Sequence, residues 1–182
     1  MPKGLKATSQ QIAIGFDITS TNPNSTDSKE IELTLNALDN EVFVVTGVKL
    51  DVESPDLPTA IGVAQDIRVG VGACISKQDP SNSGIYTLAS SNVLATAKDT
   101  LMLTEQGTPS FALGVATFQE NSTDAPSQLE YIDIIATSSF YVSVLASNNT
   151  TVKTVSGKLY GYRARADASV YASLVQSELL SA

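Results

Sequence analysis

The sequence has 182 residues, a hydrophobic content of 42% and a net charge of −8 at pH 7. This length is sufficient for one buried core and too short to indicate two, so a single domain is predicted. The chain contains no His, no Trp and one Cys. These absences exclude Ser-His-Asp and Cys-His catalytic sites, an intrachain disulfide and a thiolate metal cluster. The acidic balance disfavours nonspecific binding of nucleic acid.

Residues 1–28 are predicted to form an N-terminal arm, a first strand and a loop. Lys3 and Lys6 stand among Pro and Gly, which is typical of an extended arm. An arm that condenses nucleic acid carries a block of basic residues, and two lysines fall short of that. Residues 12–18 alternate between apolar and small or polar side chains, as a half-buried strand does. Neither a signal peptide nor an apolar segment long enough to span a membrane is predicted.

The longest strongly β-biased segment is residues 41–53. Its first part, Val42–Val45, is apolar on both sides, which is typical of a strand between two layers or between a sheet and a neighbouring subunit. Phe43 and Val45 are therefore candidate subunit-interface residues. The alternation changes phase at Thr46-Gly47, which predicts a β-bulge there.

Residues 29–166 as a whole are predicted to form an antiparallel β-sandwich. Residues 91–104 are ambiguous, because Val93, Leu94 and Ala97 fit a short helix whereas Leu101-Met-Leu-Thr104 fits a strand. Other strands are predicted from alternation and β-branched content at residues 30–37, 67–75, 85–88, 111–115, 129–137, 140–146 and 151–165. A total of about 8–10 short strands makes the fold class all-β and favours a jelly roll.

No residue pattern in the chain indicates catalysis, a cofactor or a metal. Paired acids such as Glu30/Glu32 and Asp51/Glu53 alternate with core residues, as acids on a solvated strand face do. Glycoside hydrolysis would need two acids on facing positions, and these pairs do not predict such a site. Cys74 falls within an alternating run and is interpreted as a small strand residue rather than a reactive thiol. The chain is therefore predicted not to be an enzyme.

Residues 167–182 are predicted to form a short helix and tail, with Asp167 as N-cap. Tyr171, Leu174, Val175 and Leu179 form an apolar stripe on this helix. The stripe must be buried on the chain's own sandwich or on a neighbouring subunit. We expect the helix at the rim of the sandwich, where Tyr171, Leu174 and Val175 would also contact an adjacent subunit.

Aromatic and basic residues are interleaved at Tyr160-Gly-Tyr-Arg-Ala-Arg165. The two tyrosines share one face of the strand, and Arg163 and Arg165 share the other. The favoured interpretation is that these arginines pair with acidic residues of a neighbouring strand or subunit. The alternative is a platform for nucleic acid or carbohydrate.

Two stretches carry a resemblance: Glu41-Val-Phe-Val-Val-Thr-Gly-Val-Lys-Leu-Asp-Val-Glu-Ser-Pro-Asp56 and Tyr160-Gly-Tyr-Arg-Ala-Arg-Ala-Asp-Ala-Ser-Val-Tyr-Ala-Ser-Leu-Val-Gln-Ser-Glu178. They resemble single jelly-roll major capsid proteins of small icosahedral viruses of marine microbes, either bacteriophages or archaeal viruses. The resemblance implies a self-assembling coat protein that is made in the host cytoplasm and resides in the virion. It implies homo-oligomeric capsomers, with the N-terminal arm and C-terminal helix as contacts, and no cofactor or specific small-molecule ligand.

Several partners and two other classes of function stay open. A second capsid or vertex protein is one partner, and the inner face could meet the genome or an internal membrane. A virion decoration or spike protein would share these sequence features. A carbohydrate-binding β-sandwich module would have to stack sugars on tyrosines such as Tyr86 or Tyr141, because the chain has no Trp.

Overall fold

The computed structural model describes residues 3–57, 65–76, 88, 90–105, 113–121 and 130–180. These residues form ten strands, a one-turn 3-10 segment at Ala37–Asp39 and one helix. The strands are β1 (Leu5–Ala7), β2 (Ile12–Thr19), β3 (Thr26–Glu32), β4 (Glu41–Val52), β5 (Gln65–Cys74), β6 (Val93–Glu105), β7 (Leu113–Asn121), β8 (Asp133–Ile135), β9 (Ser139–Ser147) and β10 (Thr154–Ala166), and the helix is α1 (Ala168–Leu180).

The strands form two antiparallel sheets of five strands each. Sheet A has the order β1-β10-β4-β8, with β2 also paired to β10, and sheet B has the order β3-β9-β5-β6-β7. β1 and β2 lie end to end along one edge of β10, since β1 pairs with Ala164–Ala166 and β2 with Thr154–Gly161. The prediction of an all-β antiparallel sandwich with one C-terminal helix is confirmed.

The strand pairs are nested along the chain. β2 pairs with β10, β3 with β9, β4 with β8 and β5 with β6. Each pair lies inside the preceding one in sequence, so the chain follows the path of one long antiparallel hairpin folded over on itself. Two further pairings join these strand pairs into sheets: β4 pairs with β10 in sheet A, and β5 pairs with β9 in sheet B.

The main hydrophobic core lies between the inner faces of the sheets. Val48, Leu50 and Leu159 contribute from sheet A, and Val71 and Val142 from sheet B, and all are buried. Their positions follow period-two alternation, which puts every second side chain of a strand on one face. Sheet packing of this kind removes apolar area from water and is the main source of stability.

Aromatic contacts also join the two sheets. Phe16 of sheet A and Phe140 of sheet B meet edge to face, with their ring centroids 5.6 Å apart. This is a favoured geometry for aromatic pairs, in which the positive edge of one ring faces the negative face of the other.

The predicted bulge in β4 is present. Tyr160 is opposite Gly47 and Gly161 is opposite Val45, so Thr46 is the extra residue. The bulge changes the face that points inward: Phe43 and Val45 face the core before it, and Val48 and Leu50 after it. Gly161 must lack a side chain here, because a Cβ atom would lie 2.5 Å from the Phe43 ring and closer still to the Val44 carbonyl oxygen.

Several local expectations differ from the structure. The strand predicted at residues 30–37 begins earlier and ends earlier, as β3 at Thr26–Glu32, and Ala37–Asp39 form the 3-10 segment. Residues 93–105 form one continuous strand, so the short-helix interpretation of residues 91–104 is wrong; pairing with strands on both sides satisfies the backbone of this segment. The strand predicted at residues 129–137 is reduced to the three residues of β8. β1 was not predicted as a strand, and the strand predicted at residues 85–88 lies almost entirely outside the described residues.

Candidate interaction surfaces

The outer face of sheet A is covered at one end by α1. Val42 and Val44 of β4 and Ala164 and Ala166 of β10 are buried there in a second, smaller hydrophobic cluster. The helix residues Val170, Tyr171, Leu174 and Val175 pack on this cluster, as do Leu5, Tyr131, Ile134 and Tyr162. A strand with two apolar faces is therefore explained within one chain: one face of β4 meets sheet B and the other meets α1.

Phe43 and Val45 are not interface residues. Both are 0% exposed and belong to the core between the sheets. Their neighbours Val42 and Val44 point to the opposite face, beneath the helix. The sequence pattern identified the correct strand, but the layer that meets its outer face is α1 rather than another subunit.

Tyr171, Leu174 and Val175 lie on the face of α1 that packs against sheet A, and each is half-buried. The helix lies on the outer face of the sheet rather than at the rim of the sandwich. Leu179, the fourth residue of the predicted stripe, is 67% exposed. The buried position near that end of the helix is occupied by Glu178, which is 8% exposed.

Glu178 joins the C-terminal part of α1 to the segment after β8. Its two carboxylate oxygens accept hydrogen bonds from the backbone N–H groups of Ala136 at 2.6 Å and Thr137 at 3.0 Å. A carboxylate bound by backbone N–H groups makes charge-assisted hydrogen bonds, which are stronger than neutral ones. Burial raises the pKa of the neighbouring Asp133, and the negative charge of Glu178 adds to the rise.

Arg163 and Arg165 bind within the chain, to the connection between β3 and β4. Arg163 donates to the Leu33 carbonyl oxygen at 3.2 Å and to the Thr34 hydroxyl at 2.8 Å. Arg165 forms an ion pair with Asp39 and donates through Nε to the Asp39 carbonyl oxygen. The prediction was pairing with acidic residues of a neighbouring strand or subunit. Arg165 instead pairs with an acid of the 3-10 segment of the same chain, and Arg163 binds neutral oxygen acceptors.

The N-terminal segment is part of sheet A in a single chain. Lys6 lies in β1 opposite Arg165, and both Lys3 and Lys6 are exposed. The backbone also continues to pair after β1, because Thr8 N–H donates to the Arg163 carbonyl oxygen at 2.9 Å. The segment is extended, as predicted, but it is paired with β10 of the same chain and is not a free arm.

The rest of the outer face of sheet A is not covered by α1. Nine positions of three adjacent strands form a grid there, in the cross-strand rows Asp17-Ser156-Asp51, Gly15-Lys158-Lys49 and Ala13-Tyr160-Gly47. A shallow cavity of about 290 Å³ lies on this grid, lined by residues that include Lys49, Lys158 and Tyr160. The Tyr160 ring lies beside Gly47, where no side chain obstructs it.

One end of the sandwich is held by a buried ion pair between the β4–β5 and β9–β10 connections. Lys153 Nζ donates to Asp56 Oδ1 at 2.6 Å and to the Ser54 carbonyl oxygen at 3.0 Å. The backbone N–H and hydroxyl groups of both Thr150 and Thr151 donate to Asp56 Oδ2 at 2.8–2.9 Å. The bond from Lys153, with those from the threonines, holds the pKa of Asp56 well below its usual value despite partial burial.

Cys74 is fully buried, and burial raises the pKa of its thiol. A raised pKa leaves little thiolate at neutral pH, in agreement with its interpretation as a small strand residue. Among the described residues, no group of three or more Cys, Asp or Glu side chains is placed to hold a metal ion. Within the same residues, no helix has the length and apolarity needed to cross a membrane.

No family model matches the sequence, and no curated relative matches it. A tailspike protein of Acinetobacter phage vB_ApiP_P1 is one structural match, with 12% identity over 84% of this chain and 22% of the tailspike chain. Its TM-score of 0.17 is too low to carry any argument about fold or function.

Two polar contacts, which fix α1 and one end of the sandwich, were not predicted from the sequence. The position of Glu178 could have been predicted, since it lies four residues after Leu174 and therefore on the packed side of the helix. The Asp56–Lys153 ion pair could not have been predicted, because the two residues are separated by 97 positions in the sequence.

Proposed function

We propose that this chain is a structural virion protein: a jelly-roll major capsid protein that assembles into an icosahedral shell after synthesis in the host cytoplasm. The observation that carries the proposal is the nested pairing of strands. In a jelly roll two Greek keys give two facing sheets, in which the first strand pairs with the last and each later strand pairs with the next one inward.

The strand orders support this topology in detail. The order β2-β10-β4-β8 in one sheet faces β3-β9-β5-β6 in the other, and the eight strands alternate between sheets except at the central β5–β6 hairpin. β1 and β7 are additions at sheet edges. Jelly rolls occur in viral capsids and in lectin domains, among others.

The sequence resemblance at residues 41–56 and 160–178 favours the capsid alternative. In the structure these two stretches are adjacent: β4 pairs along β10, and α1 covers the outer face of both. The resemblance therefore falls on one continuous structural unit.

Electron microscopy of the purified recombinant chain tests the proposal. Closed, regular particles of uniform diameter are expected, under low-salt conditions or on concentration. A chain that stays monomeric at every salt and protein concentration would contradict the proposal. If the chain occurs in native particles but only at sparse external positions, it is a decoration or spike protein instead.

A carbohydrate-binding module is the second candidate, and Tyr160 is the observation that favours it. Its half-exposed ring lies on the uncovered face of sheet A, next to Lys158. Flat aromatic rings with polar neighbours can stack on sugars. Glycan binding that is lost in Tyr160→Ala and kept in Tyr160→Phe would support this candidate over a capsid protein.

We expect a structural virion protein of this kind to have no catalytic activity. The sequence contains no His, which removes the commonest general base. Assays against glycosides, esters and nucleotides should therefore give background rates. Turnover that disappears when a single carboxylate is replaced would contradict this expectation.

A further inference from the structure

Two lysines face each other on the part of the outer face of sheet A that α1 does not cover. Lys49 of β4 and Lys158 of β10 are direct cross-strand partners, and both side chains are exposed. Neither forms an ion pair within the described part of the chain. Like charges directly opposite each other destabilise a sheet. The acid on this face of β4, Asp51, lies opposite Ser156 and not opposite either lysine.

Two glutamates lie on the opposite outer face of the sandwich. Glu30 and Glu32 of β3 are exposed, and the residue between them, Ile31, is paired with the core residue Phe140. Alternation therefore directs both glutamates outward from sheet B. Glu30 accepts a hydrogen bond from Ser139 at 2.6 Å, and no ion pair involves either carboxylate within the described residues.

We propose that these two pairs bind each other between copies of the chain, so that Lys49 and Lys158 of one subunit contact Glu30 and Glu32 of the next. This inference rests on the proposed function as a self-assembling coat protein and specifies the contact. The lysine patch (Lys49 and Lys158) and the glutamate patch (Glu30 and Glu32) lie on opposite faces of the subunit, so the contact is heterologous. Each subunit uses one face to bind the subunit before it and the other face to bind the subunit after it. Contacts of this type form rings when the rotation between subunits closes.

The dimensions of the two patches allow both ion pairs to form together. Side chains directly opposite on neighbouring strands have Cβ atoms about 4.5–5.5 Å apart. Residues two apart on one strand are separated by about 6.6 Å. The flexible lysine side chains can span the difference.

Asp51 limits the strength of this contact. It lies on the same face as Lys49, two residues along β4, and its charge partly offsets the lysine pair. The other acid of the grid, Asp17, is already within 3.5 Å of Lys29. Exposed ion pairs add little affinity, so the expected role of the contact is to select the register and direction of association.

Charge reversal with complementation tests the contact, with self-association measured by sedimentation velocity. Lys49→Glu/Lys158→Glu and Glu30→Lys/Glu32→Lys are each expected to weaken self-association by about tenfold or more. An equimolar mixture of the two variants should restore association, since each then meets a partner of opposite charge. The quadruple variant should also associate, and it keeps the native net charge of −8.

Three further measurements test the contact, and the third separates it from a general effect of net charge. Asp51→Asn should strengthen association, and 1 M salt should weaken it, because charges are screened over about 3 Å at that ionic strength. Reversing Lys3 and Lys6 to Glu gives the same change in net charge away from the patch and should have a smaller effect.

The outcomes distinguish this inference from the proposed function. Particles that form equally well from both double variants would overturn the contact and leave the capsid proposal standing. Loss of assembly in both variants without rescue in the mixture or the quadruple variant would also overturn it. A wild-type chain that never associates would overturn both.

Discussion

Replacing Asp56 with Ala is expected to destabilise the fold more than replacing its partner Lys153 with Met. The Lys153 side chain is 3% exposed and that of Asp56 is 19% exposed. Without Asp56, the counterion left to the buried ammonium group among the described residues is Glu53, which lies at 3.6 Å and is 47% exposed. Without Lys153, Asp56 still has water and the hydrogen bonds from Thr150 and Thr151.

The magnitudes follow from this asymmetry. Removing one partner of a buried ion pair costs about 3–5 kcal/mol when the other charge is left unpaired, and Asp56→Ala belongs to this class. Lys153→Met keeps an apolar stem of similar length and loses the bonds to Asp56 and to the Ser54 carbonyl oxygen. Both oxygens are accessible to water, so the expected cost is about 1.5–3 kcal/mol. The double variant should be more stable than Asp56→Ala alone, because it no longer buries an ammonium group that has lost its close carboxylate partner.

Urea unfolding followed by circular dichroism measures these free energies. At pH 7 the midpoint for Asp56→Ala should be the lowest of the three variants, with an unchanged m-value. Because the folded-state pKa of Asp56 lies below its unfolded value, its stabilisation is complete above the unfolded pKa and is lost as the pH falls below about 4. The difference between wild type and Asp56→Ala should therefore shrink in acid. Equal losses for the two single variants, or a double variant less stable than Asp56→Ala, would refute the reasoning.

Three other changes test the packing. Gly161→Ala should destabilise strongly in thermal unfolding because its Cβ would overlap the β4 strand, whereas Gly15→Ala, which meets open space, should be neutral or slightly stabilising; equal effects would contradict the close approach. Glu178→Ala should cost about 1–3 kcal/mol for each of two backbone donors left unpaired, while the exposed Leu179→Ala should change the free energy of unfolding by less than about 0.5 kcal/mol. Deleting residues 167–182 should expose the outer apolar face of sheet A and cause aggregation, and a folded, soluble monomer by size exclusion would argue against that role for α1.

Most of the fold could be predicted where one face of a strand is apolar and the other polar. The bulge at Thr46 is an example, because one extra residue in a strand is what shifts the alternation from one face to the other. The environment of Phe43 and Val45 could not be predicted in the same way. Both faces of that strand are apolar, and the sequence does not say whether the outer layer is a helix of the same chain or a second subunit.

The polar contacts were harder to predict for a different reason. The helix stripe was placed correctly at Tyr171, Leu174 and Val175, but at its end the apolar Leu179 was assigned to the packed face that Glu178 occupies. A glutamate is buried there because two backbone N–H groups outside the helix need an acceptor. These N–H groups come within reach of Glu178 only when the segment after β8 packs against the helix.

The nested order of the strands sets a constraint on how the chain acquires its structure during synthesis. β10 is the shared partner of β1, β2 and β4, so sheet A cannot close until residues 154–166 have left the ribosome. At about 5–20 residues per second, β2 waits on the order of ten seconds for the strand that completes it. Topologies dominated by such distant pairings fold slowly, in milliseconds to seconds. During that interval the apolar face of β2 is available to the wrong partners, and high expression is expected to favour misfolding over closure.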